Sequence, residues 1–296
     1  MGRAAPHTRD SLTHPFAVDT AWPAPAKLNL FLHVTGRRRD GYHELQTVFQ
    51  FLDYCDLLYF VPRGDGVCRR VEGPDEIPAD RDLVVRAARL LSEVSGAGLG
   101  ADIRVDKRIP IGGGLGGGSS NAATTLVALN RIWNLGLPFD EIAELGLRLG
   151  ADVPVFVRAH AAWAEGVGER LWPIDLPEPW YLVVTPPLSV STAAVFASPD
   201  LRRDTPLVDL QAFRSGVVGN DCEPVTRALH PEVGEVLDWL AGHGIARMSG
   251  TGASCFIACD TIKQAEAIRH EVPARWQAFI ARGLNRSPLA DIMRGL

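Results

Sequence analysis

Six of the seven residues from Gly112 to Gly118 are glycine, with Leu115 as the single exception, and Ser119 and Ser120 follow at once. Glycine inside a regular element destabilises by about 0.5–1 kcal/mol relative to alanine, so a run this dense implies a use for bare backbone. Backbone amides freed of side chains can close on a bound group. Where such a loop opens a helix, the amides and the positive end of the helix dipole face an anion, most often a phosphate. The surrounding stretch, 107-KRIPIGGGLGGGSSNAATTLVALN-130, has this form: a strand leads through Lys107 and Pro110 into the glycines. Ala122, Leu126, Leu129 and Trp133 then recur at helical spacing, with Ser119 or Ser120 placed as the N-cap. A Walker loop would place lysine after the last glycine, and Ser119 stands there instead. The dinucleotide pattern G-x-G-x-x-G is met at Gly112, Gly114 and Gly117, as it would be in almost any run this rich. A mobile linker is a further alternative, although a linker has no need to enter a capped amphipathic helix.

Several elements must position the loop. The segment 24-APAKLNLFLHVTG-36 alternates Leu28, Leu30, Leu32 and Val34 with Asn29, Phe31 and His33, the period of a strand. Residues 45–60 read as further strand. The segment 82-DLVVRAARLLSEV-94 carries apolar residues at 83, 87, 90, 91 and 94, one face of a helix. The strand 102–110 feeds the glycines, and a helix over 140–150 delivers the chain to 151-ADVPVF-156. The proline-dense 172-WPIDLPEPW-180 marks a boundary, predicting a first domain over 24–175 and a second over 176–296. In the second, 181–186 reads as strand, 192–198, 232–242 and 262–272 as helices, and 246–259 as turn plus strand. Residues 1–23 mix polar, proline and basic residues without the apolar centre of a secretory signal, and are expected to be a flexible leader.

Composition bounds the function. The 296 residues are 46% apolar and 22% charged, with mean hydropathy +0.03, as in globular domains. No apolar run reaches the ~18 residues of a membrane span. A net charge of −5 and a pI near 5.9 argue against a nucleic-acid partner, so Arg37–Arg39 reads as a solvated turn. Five cysteines without regular spacing make no disulfide framework and suit a reducing cytoplasm. Cys255 and Cys259, four apart in an apolar stretch, read as core rather than metal ligands.

The stretch 109-IPIGGGLGGGSSNAAT-124 resembles the phosphate loop of the GHMP kinases, and 248-MSGTGASCFI-257 resembles that superfamily's C-terminal glycine motif. The segments 25-PAKLNLFLHVTGRRRDGYHEL-45, 150-GADVPVF-156, 165-EGVGE-169 and 283-GLNRSPL-289 resemble one branch of it, so the resemblance runs from about residue 24 to the end. It implies two α/β domains with the active site in the cleft between them. It further implies ATP-dependent phosphorylation of the tertiary 2-hydroxyl of a cytidyl diphosphate sugar alcohol, on the non-mevalonate route to isoprenoid precursors. By motif match Asp152 is the base for the hydroxyl proton and Lys27 the cation that holds it ionised and steadies the migrating phosphoryl group. Taken alone, an aspartate after a glycine is usually a cap and a strand lysine usually faces solvent.

The same resemblance assigns Gly112, Gly113, Gly114, Leu115, Gly116, Gly117, Gly118, Ser119 and Ser120, with Lys107 and Pro110, to ATP. It assigns Tyr42, His43 and Phe196 to the cytosine ring, which needs a stacking face and a polar edge, and Asn29 and Thr192 to polar contacts with the substrate. Mg²⁺ is expected as the ATP counterion, with no protein ligand evident. Gly114→Val and Gly116→Val are expected to raise the KM for ATP while barely lowering stability. A sibling kinase without a cytosine clamp, a dehydrogenase and a non-catalytic nucleotide sensor remain alternatives, the last disfavoured by the joint presence of Lys27 and Asp152.

Overall fold

The computed structural model describes residues 20–96 and 98–294. Residues 1–19 of the expected leader lie outside them, but the fold starts before residue 24. Strand β1 spans Trp22–Arg37, and Trp22 is buried in the first of two large cores. The expected alternation is absent, because both faces of β1 are covered: Ala24 and Ala26 to Asn29 are all buried. Trp22 and Ala24 belong to the first core, Ala26 and Leu28 to a small cluster at the junction, and Leu32 and Val34 to the second core. One strand thus threads both halves, and Lys27 and Asn29 sit at its crossing point.

Strand β2, His43–Arg63, pairs antiparallel with β1 through three register shifts, irregularities of the kind that re-aim side chains. Strand β3, Cys68–Glu72, connects through helix α1, Leu83–Ser95, to the parallel strand β4, Gly100–Asp106, since parallel neighbours require a crossover. Asp82 caps α1 by accepting from the Val84 amide, and Gly96 ends it in the left-handed region. The helix buries Val84, Val85, Ala87, Ala88, Leu90 and Leu91, whereas Val94, expected on that face, is exposed in the last turn.

Helices α2, Gly117–Ile132, α3, Phe139–Leu147, and α4, Val153–Arg158, cover the first core, followed by the hairpin β5, Ala162–Gly166, and β6, Arg170–Pro173. The serine cap expected for α2 is not formed. Gly116, at φ 71°, is the N-cap and no side chain bonds there. A left-handed glycine starts the helix two residues before the first serine, so both serines fall within the first turn, and the Ser120 amide already donates to Gly116 O.

The second half contains β7, Trp180–Thr185, α5, Thr192–Ala197, α6, Leu210–Arg214, α7, Glu223–Leu229, α8, Pro231–Ala241, β8, Arg247–Met248, β9, Cys255–Cys259, α9, Ile262–Glu271, β10, Gln277–Leu284, and α10, Pro288–Arg294. Cys255 and Cys259 are buried in the second core, as packing residues. The order β3-β4-β2-β10-β7-β9-β8 runs through one sheet, with β1 and β5 also pairing to β2 and β6 to β5. Strand β10 makes the joint: Gln277–Arg282 pair with β7, then Gly283 and Leu284 pair with Leu52 and Phe51 of β2. Strand β3, helix α4, the hairpin β5–β6, α6, α7, β10 and α10 were not among the expected elements.

Candidate active site

A cavity of about 900 Å³ opens between the two halves, lined by residues of both. At its centre is Lys27, side chain 3% exposed. Its three ammonium hydrogens meet three acceptors: Asn29 Oδ1, the Gly114 carbonyl at 3.0 Å and Asp152 Oδ2 at 3.3 Å. The Phe49 ring lies 5.5 Å from Nζ. A buried cation needs such pairing, because its desolvation costs several kcal/mol in real proteins. Asp152 occupies the N-cap position of α4 yet makes no capping bond; its carboxylate turns to Lys27 and remains about one-third exposed to the cavity. The cap reading of Asp152 thus gives way to an ion pair, and the solvent-facing reading of Lys27 to full burial.

The glycine run answers to two demands. Its carbonyls face the protein: Gly112 O accepts from Val190 and Ala253, Gly113 O from Ser254, Gly114 O from Lys27 and Ser249 Oγ, and Leu115 O from the Lys27 amide. The amides of Gly114 through Ser119 donate to no acceptor among the described residues. Gly112, Gly114 and Gly116 have φ of 70°, 75° and 71°, where side chains are strained. Space is equally short. A Cβ on Gly114 would overlap the Ser249 carbonyl oxygen and lie 2.8 Å from that of Gly252, and one on Gly116 would lie 2.8 Å from Phe156 Cζ and 3.0 Å from Lys27 Cε. The expectation that valine at Gly114 or Gly116 barely lowers stability is therefore corrected: the bare backbone is needed first to seat the loop against the turn at Ser249–Gly252.

Most of the other residues assigned to ATP also line the cavity: Lys107, Pro110, Gly112, Gly113, Leu115, Gly117, Gly118 and Ser119. The Leu115 side chain itself is buried in the junction cluster, so its backbone faces the cavity. Ser120 does not line it. Its side chain is fully buried and its hydroxyl has no partner among the described residues. Asn121, not foreseen, lines the cavity in its place. Lys107 Nζ is bound to Asp56, a fully buried carboxylate that also accepts from the amides of Arg108 at 2.7 Å and Ile109 at 2.8 Å. Asp56 thereby anchors the entry to the loop.

At the far end are Tyr42, 62% exposed, His43, buried, and Thr192 and Phe196 of α5. The His43 and Phe196 rings stack with centroids 5.0 Å apart and planes 26° from parallel. Thr192 Oγ1 is 3.0 Å from Thr251 Oγ1. Asn29 is mostly consumed inside the protein: Oδ1 accepts from Lys27 and Nδ2 donates to Thr47 Oγ1 at 3.0 Å. Burial, with the nearby Arg203 and Arg37, pushes the His43 imidazole below its ordinary pKa. Asp56, Thr47, Thr251 and Arg203 carried no signal in the sequence, since each acts through a partner remote in the chain. Among the described residues, no group of three or more His, Cys, Asp or Glu side chains could hold a metal ion, and no helix is long and apolar enough to cross a membrane.

A backbone loop with unpaired amides, a paired lysine and aspartate, and a cleft between two joined halves are features of a small-molecule kinase. Residues 82–160 match the GHMP kinases N terminal domain and residues 199–278 the GHMP kinases C terminal model. The 4-diphosphocytidyl-2-C-methyl-D-erythritol kinase of Alkalilimnicola ehrlichii is 58% identical over 93% of this chain and 94% of its own. That of Nitrosococcus oceani is 54% identical over 92% and 97%. A crystal structure of 4-(cytidine 5'-diphospho)-2C-methyl-D-erythritol kinase matches with a TM-score of 0.77 at 34% identity, over 89% of this chain and 99% of that one. The chain belongs to the GHMP kinases and, within them, to the 4-diphosphocytidyl-2-C-methyl-D-erythritol kinase family.

Proposed function

We propose that the chain transfers the γ-phosphoryl group of ATP to the tertiary 2-hydroxyl of 4-diphosphocytidyl-2-C-methyl-D-erythritol, releasing ADP, on the non-mevalonate route to isoprenoid precursors. The observation that supports this most is the Lys27–Asp152 pair between an amide-rich loop and a group of aromatic rings on one cavity. Phosphoryl transfer asks mainly for positioning and charge stabilisation, and an alcohol nucleophile adds a proton to be removed. The substrate oxygen forms its bond to the γ-phosphorus as the bond to the bridging oxygen breaks, and the hydroxyl proton passes to Asp152. Lys27, 3.3 Å from Asp152, holds that carboxylate in place and offers positive charge to the migrating group.

The amides of Gly114 to Ser119 hold the phosphates, aided by the N-terminus of α2. Mg²⁺ neutralises charge on the phosphate oxygens when ATP is bound. Tyr42, His43 and Phe196 receive the cytosine ring. Five free cysteines suit a cytoplasmic setting.

ADP release measured with the cytidyl substrate, and with homoserine, galactose and mevalonate beside it, tests the reading. Turnover is expected with the first alone; turnover with one of the others at comparable kcat/KM would assign the chain a sibling activity.

A further inference from the structure

Arg203 lies 160 residues from His43 in the chain and joins it in the fold. Its Nε donates to His43 Nε2 at 3.0 Å, Nη1 to Leu201 O at 2.9 Å, and Nη2 to Phe196 O at 3.0 Å and Ser198 O at 2.7 Å. A guanidinium is always charged and has only hydrogens to offer, so His43 Nε2 must be the nitrogen with the lone pair. The single proton of the neutral ring then sits on Nδ1, and that N–H has no acceptor among the described residues. The Phe196 and Ser198 carbonyls belong to the end of α5 and the residue after its last turn, so the same guanidinium also holds the Phe196 ring against His43.

We propose that Arg203 is a positioning residue for base recognition, fixing His43 as an Nδ1–H donor beside Phe196 so that the site takes a base presenting an acceptor and refuses one presenting a donor. The inference rests on the cytidyl substrate proposed above. Cytosine presents an acceptor at N3, where uracil carries N–H. A histidine free to exchange tautomers would serve both, whereas a locked donor faces a second donor in uracil and leaves both unpaired. Sites built around a fixed hydrogen bond discriminate most strongly against such partners.

Nitrogen-15 NMR of His43 in the wild-type protein reads the tautomer directly. The expected result is the Nδ1–H form; the Nε2–H form would overturn the inference. Arg203→Met is expected to raise the KM for the cytidyl substrate by roughly three- to tenfold, the worth of a hydrogen bond, with kcat and the KM for ATP within about twofold. Discrimination against the uridyl analogue falls by a similar factor. His43 faces two cations, Arg203 and Arg37, so removing the first moves its titration, and the acid limb of the substrate KM, to higher pH. Arg203→Lys keeps the charge but not the fork, and is expected to lose discrimination with a smaller move in titration. A parallel loss of kcat and melting temperature with KM and discrimination unchanged would make Arg203 only a brace for α5. If the methionine variant does not fold, the lysine variant and the wild-type tautomer decide. A wild-type protein that turns over neither cytidyl nor uridyl substrate would refute the proposed function, while the tautomer would still decide the role of Arg203.

Discussion

The two ends of the cavity are built from different material. At the loop end the protein presents backbone: six consecutive amides without acceptors among the described residues, on a chain whose carbonyls are tied to Lys27, Ser249 and Ser254. At the base end it presents side chains, with Tyr42 and His43 from the start of β2, Phe196 from α5 and Arg203 beyond it. Backbone geometry is set by local sequence, and side-chain geometry by tertiary neighbours. The loop end is therefore intolerant of an added atom at Gly112, Gly114 and Gly116. The base end is held by side chains, with Tyr42 62% exposed, and substitutions of that residue should read out in substrate affinity rather than in folding.

The largest effect separates both ends from the chemistry between them. Asp152→Asn keeps the shape but removes the proton acceptor, and kcat is expected to fall by roughly 10²–10⁴. Calorimetric affinities for ATP and for the cytidyl substrate should stay within about tenfold, or ~1.4 kcal/mol. Loss of either affinity together with melting temperature would make Asp152 structural. Next comes the loop. Gly114→Val adds left-handed strain and overlap with the Ser249 carbonyl, each worth about 1–3 kcal/mol, so denaturant melts should show a clear loss of stability. Gly118→Ala is the sharper probe of the phosphate, because its Cβ would meet only Leu83 Cδ1 at 3.4 Å. It should raise the KM for ATP with stability unchanged or slightly raised, and unaltered ATP kinetics in that variant would detach the α2 entrance from the phosphates.

At the base end Tyr42→Ala removes a stacking face worth about 0.5–1.5 kcal/mol, raising the KM for the cytidyl substrate up to roughly tenfold. The residue is 62% exposed, so the melting temperature should not move. An unchanged KM would place the base elsewhere. The smallest effect is on pH. Burial lowers the pKa of His43 below its ordinary value of 6.5, so the unfolded chain binds the proton first as pH falls. Its contribution is present above pH 6.5 and lost as the pH drops through the lowered folded value. Buried His33 acts in the same sense. Melting temperature should decline below pH 6.5, and His43→Gln should flatten part of that slope; an equal slope in the variant would exclude His43.

The same contrast explains what was legible in the sequence. The loop was, because six glycines before a helical stripe declare a backbone site locally. The helix start was not, since Gly116 does by left-handed geometry what a serine cap does by a side-chain bond. Both rings and His43 were reached through resemblance to a family motif, but Arg203 was not, because nothing within its own segment distinguishes it from a surface arginine. Lys27 and Asn29 were read as members of an alternating strand, yet β1 is covered on both faces where it passes from one core to the other. Strand β10 was missed although it joins the halves, as its pairing partners lie 92 to 102 residues away on β7 and more than 230 away on β2, beyond any local pattern.

The pair at the centre of the cavity is tested most directly by a double-mutant cycle on kcat with Lys27→Ala, Asp152→Asn and both together. Groups that act as one unit are grossly non-additive. The expected result is a double variant within about tenfold of the slower single one, with the cytidyl substrate still bound. Effects that multiply would mean that Lys27 and Asp152 act independently, and would contradict a shared role in moving the hydroxyl proton as the phosphoryl group arrives.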